Sequence, residues 1–402
     1  MTVVPRSADP LPARRMTSSR VGIASLVAYA VLLSLVSIHL YKNPIYDMDA
    51  FQYMGNALLM EETDPVIVHQ RVYAEVDLRI PKAARDHLLG LEAGAPPDKT
   101  ASNRERATNP YRFMEFLPLF AIRPLYNQTL WLVSRTGLGL VRASILISVA
   151  SYFLLGILVM VWVSRHVNAP LAFIIASLSM LSPPLLQLGR HMTSDALATL
   201  FAFLSLYLIF ERRFLTAGLA VLLASIYFRT DNVALAGPVI LACWLERRLD
   251  FVKASALAVL ALASALAINH FAGDYGIKML YYRNFVNAPI VAPAEMTVKF
   301  SFHDYLAAFR SGITLVTGSF FVPFLLVGIG GFLAAKRMRT VAVVSFAYVM
   351  LHFVVLPNWQ ERWFGVFYLA MAVAAAETLQ AHERSQPTSV SSDTSAVQEG
   401  TP

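Results

Sequence analysis

VGIASLVAYAVLLSLVSIHL, residues 21–40, is long enough to cross a bilayer. About 20 apolar residues in a helix span a hydrocarbon core roughly 30 Å thick, with every backbone N–H and C=O satisfied inside the segment. Arg14, Arg15 and Arg20 precede the run, as in the charged flank of a secretory leader. The run is nevertheless too long for a leader's apolar region and has no small-residue cleavage site, so it reads as a retained helix.

Comparable runs recur downstream. Spans are expected at about 21–40, 142–163, 169–187, 194–210, 214–228, 233–245, 252–271, 313–334, 340–356 and 363–379. The fold class is therefore all-α: a polytopic membrane protein of about ten transmembrane helices. Composition agrees, because 56% of the 402 residues are hydrophobic and only 15% are charged, with a mean hydropathy of +0.54, well outside the range of soluble domains. The net charge of +7 lies in short clusters between apolar runs, which points to topology signals and away from nucleic acid. With a single cysteine, Cys243, neither an internal disulfide nor a thiolate metal cluster can form.

With the N-terminus inside, the short inner loops hold Arg165, Arg212, Arg213, Arg247, Arg248, Lys253, Lys336, Arg337 and Arg339. The short outer loops hold only Arg190, Arg229 and Arg362. Cytoplasmic loops are the ones enriched in Lys and Arg, so this orientation is favoured and both termini are cytoplasmic. The expected location is the bacterial inner (plasma) membrane. Residues 41–141 form a large first extracytoplasmic loop, with helical periodicity in 50–60 and 66–91, a polar Pro-containing stretch at 94–110 and an apolar stretch at 113–125. Membrane-lying helices capping the outer face are expected there. Residues 1–380 make one transmembrane domain. Residues 381–402, rich in Ser, Thr, Gln, Pro and Glu, read as a disordered cytoplasmic tail.

Polar groups of catalytic type then collect at the outer helix ends. The first cluster, Tyr46-Asp47-Met48-Asp49-Ala50-Phe51-Gln52-Tyr53, places two carboxylates just beyond the first span, with Asp49 and Tyr53 one helical turn apart. A carboxylate there can act as a general base, and it can equally cap the following helix. The D-x-D spacing also allows a divalent cation, although no third acidic ligand is identifiable and no cofactor is otherwise implied. The second cluster is Gly189-Arg190-His191-Met192-Thr193-Ser194-Asp195, in which Ser194 and Asp195 suit helix capping while Arg190 and His191 do not.

The third cluster, Arg229-Thr230-Asp231-Asn232, holds an arginine that would cost about 2.5–3.5 kcal/mol at mid-membrane, so pairing with Asp231 or an interfacial position is expected. The fourth, Pro357-Asn358-Trp359-Gln360-Glu361-Arg362-Trp363, combines tryptophans that suit an interfacial belt with an arginine able to hold a phosphate through paired N–H donors. The loop after residue 271 adds aromatic and basic groups, including Arg283. Asn127-Gln128-Thr129 fits a glycosylation pattern and is assigned no role.

This layout resembles the GT-C superfamily of membrane glycosyltransferases over about residues 21–380. Asp47-Met48-Asp49 with Tyr53 falls where those enzymes carry an acidic base in the first outer loop, Asp49 matching a D-x-x-x-Y spacing with Asp47 as competitor. Arg190 to Asp195 and Glu361-Arg362-Trp363 look like the family's later outer-end polar groups. The resemblance implies an inverting transfer from a polyprenyl-phosphate-linked sugar donor to a lipid, glycan or protein acceptor. Asp49 or Asp47 would be the base and Arg362, Arg229 or Arg190 would hold the donor phosphate. Tyr53, Glu361, His191, Asp195, Asp231 and Arg283 would lie around the substrate. The rivals are a transporter or flippase for a lipid-linked or anionic substrate, and a non-catalytic assembly subunit.

Overall fold

The computed structural model describes residues 20–92, 97–275, 301–334 and 338–385. Among them the chain is helical throughout, and the one β-type contact is an isolated bridge between Ile45 and His191. The first helix, α1, is Arg20–Lys42. The loop segment that follows forms α2 (Met48–Leu58), α3 (Pro65–Arg79), α4 (Lys82–Leu89), α5 (Pro97–Thr108), α6 (Pro110–Phe116), α7 (Pro118–Ala121) and α8 (Pro124–Val133). The apolar bundle continues with α9 (Leu140–Val163), α10 (Ala169–Met180), α11 (Pro183–Arg190), α12 (Asp195–Leu206), α13 (Leu215–Phe228), α14 (Val233–Leu245) and α15 (Phe251–Phe271). It ends with α16 (Phe302–Thr317), α17 (Phe321–Ala334), α18 (Arg339–Val355) and α19 (Gly365–Ser385).

Each apolar run read as a span coincides with helix. Four helical stretches are long and apolar enough to cross a bilayer: Arg20–Lys42, Leu140–Val163, Phe251–Phe271 and Glu361–Gln380. Two bent pairs bring the number to as many as six, and α13, α14 and α18 are shorter apolar helices. The run at 169–187 is not one straight helix, because Pro183 and Pro184 remove N–H donors and the chain turns 63° between α10 and α11. A second bend, of 75°, separates α16 from α17 at Gly318, so the run at 313–334 is also divided. The last helix continues to Ser385, past the boundary at 381 read from composition, and residues 386–402 lie outside the described residues.

Inter-helix contacts sort the junctions into two ends. At one end, Ile45 N–H donates to the Arg190 carbonyl at 2.9 Å, Arg229 pairs with Asp195 and Asp231 meets His352. At the other, Glu211 faces His166 at 3.4 Å and Arg165 at 3.8 Å. Arg248 donates to the Ile209 carbonyl there, and the Thr340 hydroxyl donates to Glu246. The junctions after α1, α9, α11, α12, α13 and α14 fall at the two ends in turn, whereas α16 stays at the first end, with Tyr305 near its start at Val354 and Phe320, just beyond it, at Glu361.

The loop segment differs from a set of surface-lying helices. α2 is enclosed, with Ala50, Phe51, Met54 and Ala57 fully buried, and forms an inner wall of the bundle end. α3 buries one face through Val68, Val72 and Val76, while Leu78 is exposed. Pro81 divides the periodic stretch 66–91 into α3 and α4. The polar stretch after Gly94 forms α5, where the Arg106 guanidinium sits 4.2 Å from the Phe116 ring centre.

α1 and α9 cross closely at Gly156, where the Tyr29 hydroxyl donates to the Gly156 carbonyl at 2.9 Å. A Cβ at Gly156 would come within 2.7 Å of the Leu33 side chain. Membrane helices rely on such small residues for close approach. Gly156→Leu is therefore expected to push α1 off α9 and destabilise the protein by about 1–3 kcal/mol. Thermal unfolding in detergent measures this, and an unchanged transition would show that the crossing tolerates separation.

Candidate functional site

Four chain junctions and the end of α18 deliver the site to one end of the bundle. Asp47 closes the turn after α1 as the N-cap of α2, accepting from the Asp49 N–H at 3.1 Å. The capping role expected for this aspartate is therefore real. The same carboxylate lies 3.6 Å from His191 Nδ1 and 3.6 Å from an Arg362 guanidinium nitrogen, ion-pair distances longer than hydrogen bonds. Asp49 follows in the first turn of α2, partly buried. One turn on, Tyr53 is buried with its hydroxyl 3.5 Å from Ser194 Oγ and its ring edge-on to Tyr126 and Phe120.

The centre of the site is Asp195. Its carboxylate accepts from the Thr193 hydroxyl at 2.9 Å and meets Arg229 at 3.0 Å and Arg362 at 3.3 Å. Ser194 stands at the N-cap of α12 without a side-chain capping bond, so this cluster is not explained by capping. Arg229 also pairs with Asp231 at 2.7 Å, and its guanidinium lies 5.3 Å from the centre of the Trp363 ring. His352 Nε2 is 2.9 Å from Asp231. Arg362 Nε donates to Gln360 at 3.0 Å. Three carboxylates, Asp47, Asp195 and Asp231, thus surround two buried guanidiniums, Arg229 and Arg362. Charges so far from water persist only when paired in this way.

Of the residues singled out in the sequence, Asp47, Asp49, Tyr53, His191, Asp195, Arg229, Asp231 and Arg362 come together. Arg190 lies beside them, its Nε donating to the Asn43 carbonyl at 2.9 Å, where it ties α11 to the end of α1. Glu361 turns away and accepts from the Phe320 N–H at 2.6 Å, at the start of α17. Arg283 lies outside the described residues. Asn127 is buried, its amide donating to the Phe120 carbonyl. Trp359 is also buried and stacks on Phe364 at 4.4 Å, so it is packing rather than belt.

Three members were missed. His352 lies within an apolar run, and an ionisable residue there is itself a functional signal. Arg123 lies 5.4 Å from the centre of the Tyr53 ring, and its only sequence signal is a cation between apolar stretches. Trp363 was read as belt, whereas it carries Arg229. Among the described residues, no group of three or more His, Cys, Asp or Glu is arranged to hold a metal ion.

Burial favours the neutral form of Asp47, but His191, Arg362 and the Asp49 N–H outweigh it and hold the carboxyl down at about 2. An unfolded aspartate titrates near 3.9. Stabilisation by the Asp47 charge is therefore complete above about pH 4 and is lost as pH falls through the window toward 2. The stability difference between the wild type and Asp47→Asn should be constant near neutrality and shrink over that window. A difference independent of pH would mean that the charge contributes nothing.

Comparison with known proteins finds no matching family model, no matching curated protein and no matching solved structure. What the site can do is therefore argued from its chemistry.

Proposed function

We propose that the chain is a multi-pass membrane glycosyltransferase of GT-C type, moving a sugar from a polyprenyl-phosphate-linked donor to an acceptor hydroxyl at the extracytoplasmic face. The observation that carries this reading is the convergence of Asp47, Asp49, His191, Asp195, Arg229, Asp231 and Arg362 on one end of an apolar helical bundle. A count near ten accords with the junctions after α1, α9, α11, α12, α13 and α14, which fall at opposite ends in turn. The orientation is supported by Arg165, Arg248 and Arg339, basic residues that gather at the end opposite the site.

Asp49 is the general base. The acceptor O–H gives its proton to the Asp49 carboxylate while the oxygen attacks the anomeric carbon. The bond from that carbon to the phosphate oxygen breaks, and its electron pair leaves with polyprenyl phosphate, inverting the carbon. Asp47, already bound to the α2 N–H and two cations, is the weaker base and orients the turn that carries Asp49. Arg229 and Arg362 are committed to carboxylates, so their part is to fix the site's geometry and field.

A transporter is the second reading, favoured by the breaks between α10 and α11 and between α16 and α17. Against it, the ionisable cluster sits at one end of the bundle rather than at its middle. The discriminating experiment is transfer of radiolabelled sugar from polyprenyl-phosphate donors in vesicles carrying the wild type or the Asp47→Asn/Asp49→Asn double variant. Transfer lost only in the variant supports the enzyme. No wild-type-dependent transfer across a panel of donors and acceptors rejects it.

A further inference from the structure

The arginines at the centre of the site are buried and their charge is already neutralised by carboxylates. Cations available to an anion lie elsewhere. Immediately beside the site, a cleft of about 240 Å³ opens between the end of α1, the end of α3 and the start of α9. Lys42, Arg79 and Arg142 line it together with Tyr41, Tyr46 and Leu78. Arg79 is held by Glu75 at 3.3 Å. Lys42 and Arg142 are both exposed, and among the described residues neither side chain has a hydrogen-bond or ion-pair partner.

Two further features give the cleft its character. Tyr46 joins it directly to Asp47, so whatever occupies it lies next to the proposed chemistry. In addition, the faces leading away from it along α1 and α9 are apolar and unpartnered. Leu35 is 61% exposed, Ile38 53% and Leu146 38%, on helices that are candidate membrane spans. A basic mouth above an outward apolar face matches an amphiphile whose charge is fixed at the interface and whose tail runs into lipid. Clustered Lys and Arg at a membrane surface attract anionic head groups in this way, and an arginine can give a phosphate two parallel N–H donors.

We propose that this cleft is the binding site for the phosphate of a membrane-embedded lipid, with Arg142 and Lys42 as its charged contacts, Tyr46 on the side facing Asp47, and the tail along α1 and α9. Naming that lipid as the polyprenyl phosphate of the donor rests on the glycosyl-transfer reading. The phosphate head then sits at Lys42 and Arg142, leaving the site's arginines paired.

The test is binding of polyprenyl monophosphate to the full-length protein in detergent, without turnover, for the wild type, Arg142→Gln/Lys42→Gln, Arg142→Lys and Asp49→Asn. The double variant should bind at least about tenfold more weakly, Arg142→Lys should recover part of the loss, and Asp49→Asn should bind as the wild type does. Polyprenol without phosphate should bind poorly to every form. Wild-type affinity in the double variant, with unfolding temperatures unchanged, would overturn the site, as would equal affinity for polyprenol. Competition by phosphatidylglycerol as strong as by polyprenyl phosphate would overturn the donor assignment, and equal competition by inorganic phosphate would overturn the lipid one. Because binding is read apart from transfer, intact lipid binding with no transfer from any donor would reject the enzyme reading and leave the cleft standing.

Discussion

Asp195→Leu is expected to destabilise the folded protein by about 3–5 kcal/mol, the cost typical of removing one partner from a buried ion pair. The carboxylate is 6% exposed and receives Arg229 at 3.0 Å, Arg362 at 3.3 Å and the Thr193 hydroxyl at 2.9 Å. Without it, Arg229 keeps Asp231, whereas Arg362 keeps Asp47 at 3.6 Å and the neutral Gln360 and Thr193. Two guanidiniums would then face each other across an apolar gap. Asp195→Asn should cost less, because one acceptor oxygen remains. The measurement is a double-mutant cycle with Arg362→Met, read by thermal unfolding in detergent. Recovery of part of the loss in the double variant is expected, since the second change removes the stranded charge. Strict additivity would mean that the two residues do not stabilise each other.

Much of this architecture was legible in the chain. Lipid requires each spanning segment to satisfy its own backbone, so apolar length alone marks helices such as α1, α9 and α15. The site's location was legible too. The threading expected from apolar length and basic short loops assigns Asp47, Asp195, Arg229 and Arg362 to helix ends on one side, and the structure brings them together. The partners were not. Whether Arg229 meets Asp231 alone, as its neighbour in sequence, or Asp195 as well depends on how α12 and α13 are rotated against each other. Hydrophobic periodicity does not set that rotation when a helix is apolar all round.

The loop segment shows where composition misleads. Residues 97–108 look like a polar linker, yet they form α5 because Asn103 and Arg106 find partners in Leu88 and the Phe116 ring. Pro183-Pro184 lie inside the run read as one span at 169–187, where they break it, and the 63° turn that aims α11 at the end of α1 is a tertiary result. It is secured by Arg190 and the Ile45–His191 bridge. His352 was hidden by its apolar neighbours, although a histidine embedded there is costly without the carboxylate of Asp231.

Asp49→Asn is expected to lower sugar transfer by at least about 10²-fold, the lower range for loss of a general base, with the protein still folded and inserted. Asp47→Asn should cost less in rate and more in stability. The two carboxylates are two residues apart, yet their surroundings divide the work. Asp47 caps α2, lies against His191 and Arg362 and is held down at about 2, so it has little affinity for a proton arriving from an acceptor. Asp49 is positioned by that cap on the first turn of α2, one turn from Tyr53. The comparison is made on vesicles carrying each single variant, with transfer rate and unfolding temperature read on the same preparations. A rate loss confined to Asp47→Asn would exchange the two assignments. Equal, small losses in both would remove the base from this turn, leaving it as the cap that holds α2 beneath Arg362.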